Sequence, residues 1–230
     1  MNIKEVFFLK VTEKEKNRAI KTKEQIQELH KKGYKVKDVT VSMSKANIMG
    51  ILFGFMLSLP ICLAYYLKFG YLFIEPEPNV VEQIIVGILF LASFVVHEGI
   101  HGLCMYLFNG KKTSLIEFGF INGNPYCTCQ SPINKTKYII FALMPTLVLE
   151  IIFTIAAFRF GTVWWLALVI GNAFGCGGDF TNIWKILRLR YKNMKIVDHP
   201  YKCGFFALSK EFQDDEYENI TTEIDSLTTT

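Results

Sequence analysis

The residues whose types and spacing point most directly to chemistry are His97, Glu98 and His101, in the segment His-Glu-Gly-Ile-His. On a helix, side chains four residues apart share a face, so both imidazoles can bind one Zn²⁺ ion while Glu98 stands beside the open coordination position. The metal would lower the pKa of its water, and Glu98 would take the proton and deliver it to the leaving amine. This pattern predicts a zinc peptidase site in which Glu98 is catalytic. The alternative is that the three side chains pair within the protein and hold helices together.

Asp179 is the predicted third metal ligand, at the end of the segment Gly-Cys-Gly-Gly-Asp. Its predicted helix and the helix that carries the histidines both run toward the cytosol, and Asp179 lies about as far from its helix end as His97 and His101 lie from theirs. At a helical rise of about 1.5 Å per residue, the three groups would share one layer of a membrane. The glycines before Asp179 would let its helix approach the histidine helix closely. Alternatively, Asp179 is a buried acid bonded to Asn172 or Asn182.

Long apolar blocks must position these groups. The chain has 230 residues, of which 51% are hydrophobic, and its mean hydropathy is +0.27. A helix needs roughly 20 apolar residues to cross the hydrocarbon layer. Blocks of that length occupy residues 46–67, 84–108, 138–158 and 162–187. We therefore predict a mainly α, polytopic membrane protein with four transmembrane helices.

The basic residues predict how these helices are oriented. Residues 1–45 contain twelve Lys and Arg against six Asp and Glu, whereas residues 68–83 contain one Lys and three Glu. The loop after the second span and the segment after the fourth are again rich in Lys and Arg. The positive-inside rule then predicts a multi-pass protein of the cell membrane with both termini in the cytosol. Because the basic residues flank spans, the predicted partner is the lipid bilayer and no nucleic acid is expected.

The predicted domains are a cytosolic α/β element at 1–44, a zincin-like membrane domain at 45–204 and a tail at 205–230. The first contains a strand at 3–9, a helix between a capping box of Thr12 and Glu15 and a stop at Gly33, and a strand at 34–43. The tail is acidic and rich in threonine, and it is predicted to be disordered.

A β-hairpin is predicted on the cytosolic side, between the second and third spans. Its strand-like runs, 115–121 and 126–130, are joined by an Asn-Gly pair, which is a strong hairpin signal. The hairpin could bind an extended substrate by strand addition. The predicted substrate-binding residues are Phe118, Phe120, Tyr126 and Thr128.

The remaining polar candidates have weaker interpretations. Glu150 lies in the third span, where a hydrogen bond between helices is favoured over a role behind the metal ligands. His199 lies beyond the last span and is interpreted as interfacial or structural. Cys127 and Cys129 are interpreted as packing residues, and the six cysteines are expected to be reduced.

The ordered motifs resemble a known family, the zincin peptidases of bacterial membranes that are catalogued as a domain of unknown function. The resemblance covers roughly Val80 to Gly204 and implies a membrane-bound zinc peptidase fold. A more distant similarity is to the site-two class of intramembrane metalloproteases, which also place a ligand Asp in a later span. The motifs that carry the family resemblance are His97 to Gly102, Pro125 to Cys129, Met144-Pro145, Gly177 to Asp179 and Asp198 to Pro200.

The function that the sequence favours is a membrane-embedded zinc metalloendopeptidase acting on a peptide or membrane-protein substrate. Two alternatives stay open. One is a non-enzymatic membrane protein that holds a structural metal at the same residues. The other is a metal-ion transporter in which the histidines and acids form a transport site. The sequence does not determine the substrate or the oligomeric state.

Overall fold

Helices dominate the residues that the computed structural model describes, which are 13–72, 79–121, 124–191, 193–200 and 202–228. In chain order the elements are α1 (Glu13–Lys31), β1 (Lys35–Val41), α2 (Met43–Phe69), α3 (Val80–Phe108), β2 (Ile116–Ile121), β3 (Asn124–Cys129), β4 (Ile133–Asn134), α4 (Lys135–Phe160), α5 (Val163–Gly175), α6 (Gly177–Arg188), β5 (Lys195–Asp198), β6 (Cys203–Ser209) and α7 (Tyr217–Thr228). The predicted strand at 3–9 and Thr12 of the capping box lie outside the described residues. The predicted helix ending before Gly33 and the strand after it are confirmed by α1 and β1.

The chain folds as two compact units. The sheet unit comprises residues 13–40, 129–135 and 191–228, and the helical unit comprises residues 41–128 and 136–190. The N-terminal and C-terminal segments therefore share one unit, which differs from the predicted division at residues 44 and 204.

Three helices of the helical unit, α2, α3 and α4, are long and apolar enough to cross a membrane. Their outer surfaces carry large apolar side chains such as Leu67, Val95 and Ile155, which are 76%, 72% and 64% exposed. Soluble proteins rarely expose contiguous apolar surface on this scale. The fold is thus compatible with a membrane protein, while its orientation stays a prediction.

The fourth predicted span is broken, whereas the sequence predicted one helix. Helices α5 and α6 meet at Cys176 with a bend of 43°, and the bent pair together meets the length and hydropathy expected of a span. Cys176 lies between Gly175 and Gly177, and glycine is a weak helix former because it loses the most backbone freedom on folding. The break gives α6 a first turn of its own, and Asp179 lies in it.

Glycines bring α6 against α2, not against the histidine helix as predicted. A Cβ at Gly50 of α2 would lie 3.0 Å from the Cα of Gly177, and a Cβ at Gly54 would overlap the ring of Phe174. Gly50 and Gly54 thus form a Gly-x-x-x-Gly face, the pattern that lets apolar helices approach closely. Gly178, by contrast, has no atom within 4 Å of where its Cβ would be.

The predicted hairpin is confirmed as a two-stranded sheet of β2 and β3. The ring of Tyr126 in β3 covers Gly119 in β2, where a Cβ would overlap it. Phe118 of β2 lies in the same way over Gly102 of α3. These contacts fix the hairpin beside the helix that carries the histidines. The Asn-Gly turn lies outside the described residues, and the cytosolic position of the hairpin stays a prediction.

The sheet unit contains a four-stranded sheet with the strand order β1-β6-β5-β4. Strand β5 pairs antiparallel with β6, where Lys195 lies opposite Leu208, and with β4, where Ile133 lies opposite Ile196. Helix α1 packs against α7 and the sheet. The core of this unit consists of Ala19, Ile26, Leu29, Val36, Val197, Phe206, Leu208, Ile220 and Ile224.

The disordered tail predicted for residues 205–230 is contradicted by β6 and α7. Phe205 and Phe206 are at most 1% exposed, and Ile220 and Ile224 of α7 are 3% and 2% exposed. The prediction followed the many acidic and threonine residues and overlooked an apolar stripe. Tyr217, Ile220 and Ile224 form this stripe, because they recur at helical spacing. This stripe packs on α1, so the burial it provides outweighs the polar composition of the segment.

Candidate metal centre

Helix α3 places both histidines of the motif on one face. The ring centroids of His97 and His101 are 4.8 Å apart, and the ring planes make an angle of 81°. This arrangement follows from the i, i+4 spacing, which stacks the two side chains one turn apart. His101 is 4% exposed, so its polar atoms must find partners within the protein.

Asp179 of α6 closes the group. Its Oδ2 lies 3.0 Å from Nε2 of His97, and its Oδ1 lies 3.4 Å from Nε2 of His101. One potential ligand atom from each of the three residues lies within 4.8 Å of the other two, so the group could hold a metal ion. Asn172, one of the two alternative partners predicted for Asp179, donates from Nδ2 to Oε2 of Glu150 at 2.7 Å, and pairing with Asn182 stays a prediction.

The second nitrogen of each imidazole has its own partner. Nδ1 of His101 lies 3.0 Å from the backbone carbonyl oxygen of Phe141. A carbonyl can only accept, so Nδ1 is the donor to it, and Nε2 is the ring nitrogen that faces Asp179. Nδ1 of His97 lies 4.0 Å from Sγ of Cys176, whose S–H donates to the carbonyl of Asn172 at 3.0 Å. The hydrogen bond at Nδ1 of His101 is therefore stronger than the contact at Nδ1 of His97.

Glu98 lies next to the group and outside it. Its carboxylate accepts a hydrogen bond from the backbone N–H of Cys127 in β3. This contact orients the carboxylate and ties the hairpin to the histidine helix. Neither Cys127 nor Phe141 was predicted to contribute, because both act through backbone atoms that leave no signature in the side-chain pattern. Pro145 of the Met-Pro motif was the one sequence signal for Phe141, because a proline four residues later in a helix leaves that backbone carbonyl without its helical donor.

The predicted substrate-binding residues differ in how open they are. Phe118 and Phe120 are 48% and 75% exposed, and Tyr126 is partly buried against Gly119. Thr128 is only 8% exposed. Contact with a substrate therefore stays a prediction for all four, and Thr128 offers it the least side-chain surface.

The weaker candidates are placed as follows. The hydrogen bond between Glu150 and Asn172 joins α4 to α5, in agreement with the favoured interpretation of Glu150. His199 belongs to the sheet unit, where its Nδ1 accepts from the backbone N–H of Lys202 at 2.9 Å. Cys127 and Cys129 are buried, and none of the six cysteines, all of which the structure describes, forms a disulfide.

Comparison with known families agrees with the sequence resemblance. The sequence model of a family described as "Putative zincin peptidase" matches residues 90–193. That range includes both histidines, Glu98 and Asp179, and it indicates a metallopeptidase. No curated protein and no solved structure matches the chain. The more distant similarity to the site-two class stays a prediction from the motifs.

Proposed function

We propose that this chain is a membrane-embedded zinc metalloendopeptidase in which His97, His101 and Asp179 bind the metal and Glu98 is the catalytic base and acid. The observation that carries the proposal is the convergence of three ligand atoms within 4.8 Å, from residues far apart in the sequence. Side chains that only hold helices together would need no more than pairwise hydrogen bonds. Two imidazoles that both turn Nε2 toward one carboxylate would instead serve as a set of three metal ligands.

The donor set suits zinc. Catalytic zinc sites take three protein ligands from His, Asp, Glu or Cys and leave one position open. Their histidines commonly donate the second ring N–H to a carbonyl or carboxylate, as His101 does to Phe141. Zinc bound here would supply Lewis acidity and lower the pKa of a water molecule at the open position.

Glu98 supplies the proton transfers. Its carboxylate interacts electrostatically with His97, His101 and Asp179, which places it near the ligand group. The N–H of Cys127 restrains one side of that carboxylate and leaves lone pairs to accept a proton from water. The same carboxyl group then gives the proton to the amine that leaves when the peptide bond breaks.

The hairpin is the proposed substrate platform. Strand β3 lies next to Glu98 through Cys127, so a peptide added along the hairpin would pass close to the base. Backbone hydrogen bonds would hold the peptide extended, which a helical substrate requires before it can be cut. The exposed rings of Phe118 and Phe120, with Tyr126 and Thr128, would contact its side chains. Proline at an edge position of β3 should abolish cleavage in folded protein, and unchanged cleavage would remove this role.

The proposed location is the cell membrane, with both termini in the cytosol and the metal layer in the cytosolic half. The support is the three apolar helices, the bent pair α5 and α6, and the distribution of basic residues. Two histidines and two acids in such helices are costly to bury, and they mark a functional site by default.

A cleavage assay with matched acid variants tests the proposal. The protein is reconstituted in lipid vesicles with a set of single-span membrane proteins, and Glu98→Gln is compared with Glu82→Gln. Glu82 lies in the same helix and bonds Thr162, away from the ligand group. We expect Glu98→Gln to keep its zinc and to cleave at least about a hundredfold more slowly, because general acid–base catalysis contributes that much. Glu82→Gln should cleave like wild type.

The rival functions give different results in the same vesicles. Bound zinc with no cleavage of any substrate by wild type, and with Glu98→Gln indistinguishable from it, would favour a structural metal. Zinc flux across the vesicle wall without cleavage would favour a transporter. Either result contradicts the peptidase proposal.

A further inference from the structure

Helix α4 contains a proline, Pro145, and it is buried. In an α-helix each N–H donates to the carbonyl four residues earlier, so the residue at 145 would normally bond the carbonyl of Phe141. Proline has no N–H, and its ring also crowds that carbonyl away from the helix axis. Pro145 therefore leaves the Phe141 carbonyl without its helical donor. Since this carbonyl lies between packed helices, it needs a donor from elsewhere.

The donor is a candidate metal ligand. Nδ1 of His101 lies 3.0 Å from the Phe141 oxygen, and the rings of the two residues are in contact with centroids 4.3 Å apart. His101 and Phe141 are 4% and 5% exposed, so water has little access to replace either partner. The Phe141 carbonyl, which lacks its helical donor, is therefore the same carbonyl that bonds Nδ1 of His101.

We propose that Pro145 is a positioning residue for His101: by withholding an N–H from the Phe141 carbonyl, it reserves that carbonyl for Nδ1 of His101. Nδ1 then donates to that carbonyl, and the ring is oriented with Nε2 toward Oδ1 of Asp179, from which it lies 3.4 Å. The inference that this arrangement favours zinc binding rests on the proposed function. The effect on the orientation of the ring and on its hydrogen bond at Nδ1 does not.

His97 shows why this matters. The partner of its Nδ1 is a thiol sulfur 4.0 Å away, and that thiol already donates to Asn172. Sulfur is a weak hydrogen-bond partner. Of the two histidines, His101 is consequently the one whose ring is oriented by a strong hydrogen bond at Nδ1, and the Phe141 carbonyl is the acceptor. An N–H at position 145 would compete for that carbonyl, so the ring would lose the bond that orients Nε2 toward Asp179.

The chain supplies a matched control, because α2 also contains a proline. Pro60 is exposed on a helix that carries none of the candidate ligands. Pro60→Ala and Pro145→Ala both restore an N–H within an apolar helix. Only the second places that N–H at the carbonyl bonded to His101.

Zinc affinity in detergent, measured by competition with a fluorescent chelator, tests the proposal together with thermal unfolding. We expect Pro145→Ala to bind zinc about tenfold to a hundredfold more weakly, the usual effect of losing a partner behind a metal ligand. Its unfolding temperature should be unchanged or higher, because alanine favours a helix far more than proline does. Pro60→Ala should bind zinc like wild type. An affinity for Pro145→Ala within twofold of wild type, or equal losses in both variants, would overturn the proposal.

A second measurement does not require a bound metal. The ¹⁵N NMR spectrum of histidine-labelled, metal-free protein reports which nitrogens of each ring carry a proton, and His101→Gln assigns the signal among the four histidines. A protonated, hydrogen-bonded Nδ1 is expected for His101 in wild type, and an Nδ1 without a proton would overturn the proposal. If wild type binds no zinc, yet Nδ1 of His101 is hydrogen-bonded in wild type and loses this bond in Pro145→Ala, the proposed function fails while the effect of Pro145 on His101 stands.

Discussion

Each imidazole of the candidate centre turns Nε2 toward Asp179 and Nδ1 toward another part of the protein. For His101 the protein partner is a backbone carbonyl at 3.0 Å, and for His97 it is a sulfur at 4.0 Å. Asp179 faces both rings with different oxygens, so it restrains the pair as a unit. Ligands held in this way lose little freedom when a metal binds, which favours affinity.

His199, in the sheet unit, gives a prediction about pH. Burial holds the pKa of His199 at about 3, with the positive charges of Lys202 and Arg18 acting in the same direction and Asp38 opposing them. Since the ordinary pKa is about 6.5, the folded state binds fewer protons than the unfolded state between these values. The contribution of His199 to the free energy of unfolding is therefore fully present above about pH 6.5 and is lost as the pH drops toward 3.

The expected loss for this unit is about 2 kcal/mol between pH 7 and pH 5, a range in which most carboxylates stay ionised. Hydrogen exchange of the β5 and β6 amides, corrected for intrinsic rates, measures it. His199→Gln keeps an acceptor without the titration, so its stability should depend less on pH. The same pH dependence of stability in wild type and variant would show that the titration of His199 does not cause it.

At the level of residues, local patterns were predictable and backbone partners were not. The spacing of His97 and His101 places them on one helical face whatever the tertiary fold. Asp179 could be predicted because two spans that end at the same surface bring residues to a common depth. The roles of Phe141 and Cys127 depend on which helix and strand pack beside α3, and a single sequence does not contain that information.

At the level of elements, the break between α5 and α6 places the metal-binding carboxylate candidate at the start of a helix. The N-terminus of a helix carries partial positive charge, which favours an ionised carboxylate in its first turn. Asp179 occupies that turn in α6. The hydropathy of the fourth block predicted a span but not its break, since Gly175 and Gly177 are also compatible with a continuous membrane helix.

The contact between α2 and α6 predicts the effect of a larger residue at Gly50. A Cβ there would lie 3.0 Å from the Cα of Gly177, so Gly50→Val must push the two backbones apart. Overpacking of this kind costs about 1–3 kcal/mol. It should also weaken zinc binding, because Asp179 lies two residues after Gly177 in α6.

Gly87→Val is the control, because Gly87 lies in α3 with no atom within 4 Å of its Cβ position. Thermal unfolding and zinc affinity in detergent should separate the two variants. Equal behaviour of Gly50→Val and Gly87→Val would show that the close approach of α2 and α6 contributes nothing to stability.

At the level of the whole molecule, segments 13–40 and 202–228, far apart in the sequence, build the sheet unit together. Tyr217 stacks on His30 with ring centroids 3.8 Å apart, and Lys23 pairs with Asp225 at 2.5 Å. These contacts join segments about two hundred residues apart, and composition alone does not predict such pairing. The apolar spans were predictable because length and hydropathy are local properties, whereas the acidic C-terminal segment acquires order only by packing on α1.

Ile224 tests whether the C-terminal helix is part of the folded core. It is 2% exposed, so Ile224→Ala should lower the free energy of unfolding of the sheet unit by about 2–4 kcal/mol. Thr222→Ala, on the exposed side of α7, should change it little. Hydrogen exchange of β6 and α1 amides measures both. Unchanged protection in Ile224→Ala would restore the prediction of a disordered tail.

The metal content of detergent-purified protein is the most direct test of the proposed centre. We expect about one zinc per chain in wild type and none in His97→Ala or Asp179→Ala, because each variant removes one of only three protein ligands. His199→Ala, which removes a histidine of the sheet unit, should retain the metal. Wild type without bound metal, or zinc that survives both ligand substitutions, would contradict a centre built from His97, His101 and Asp179.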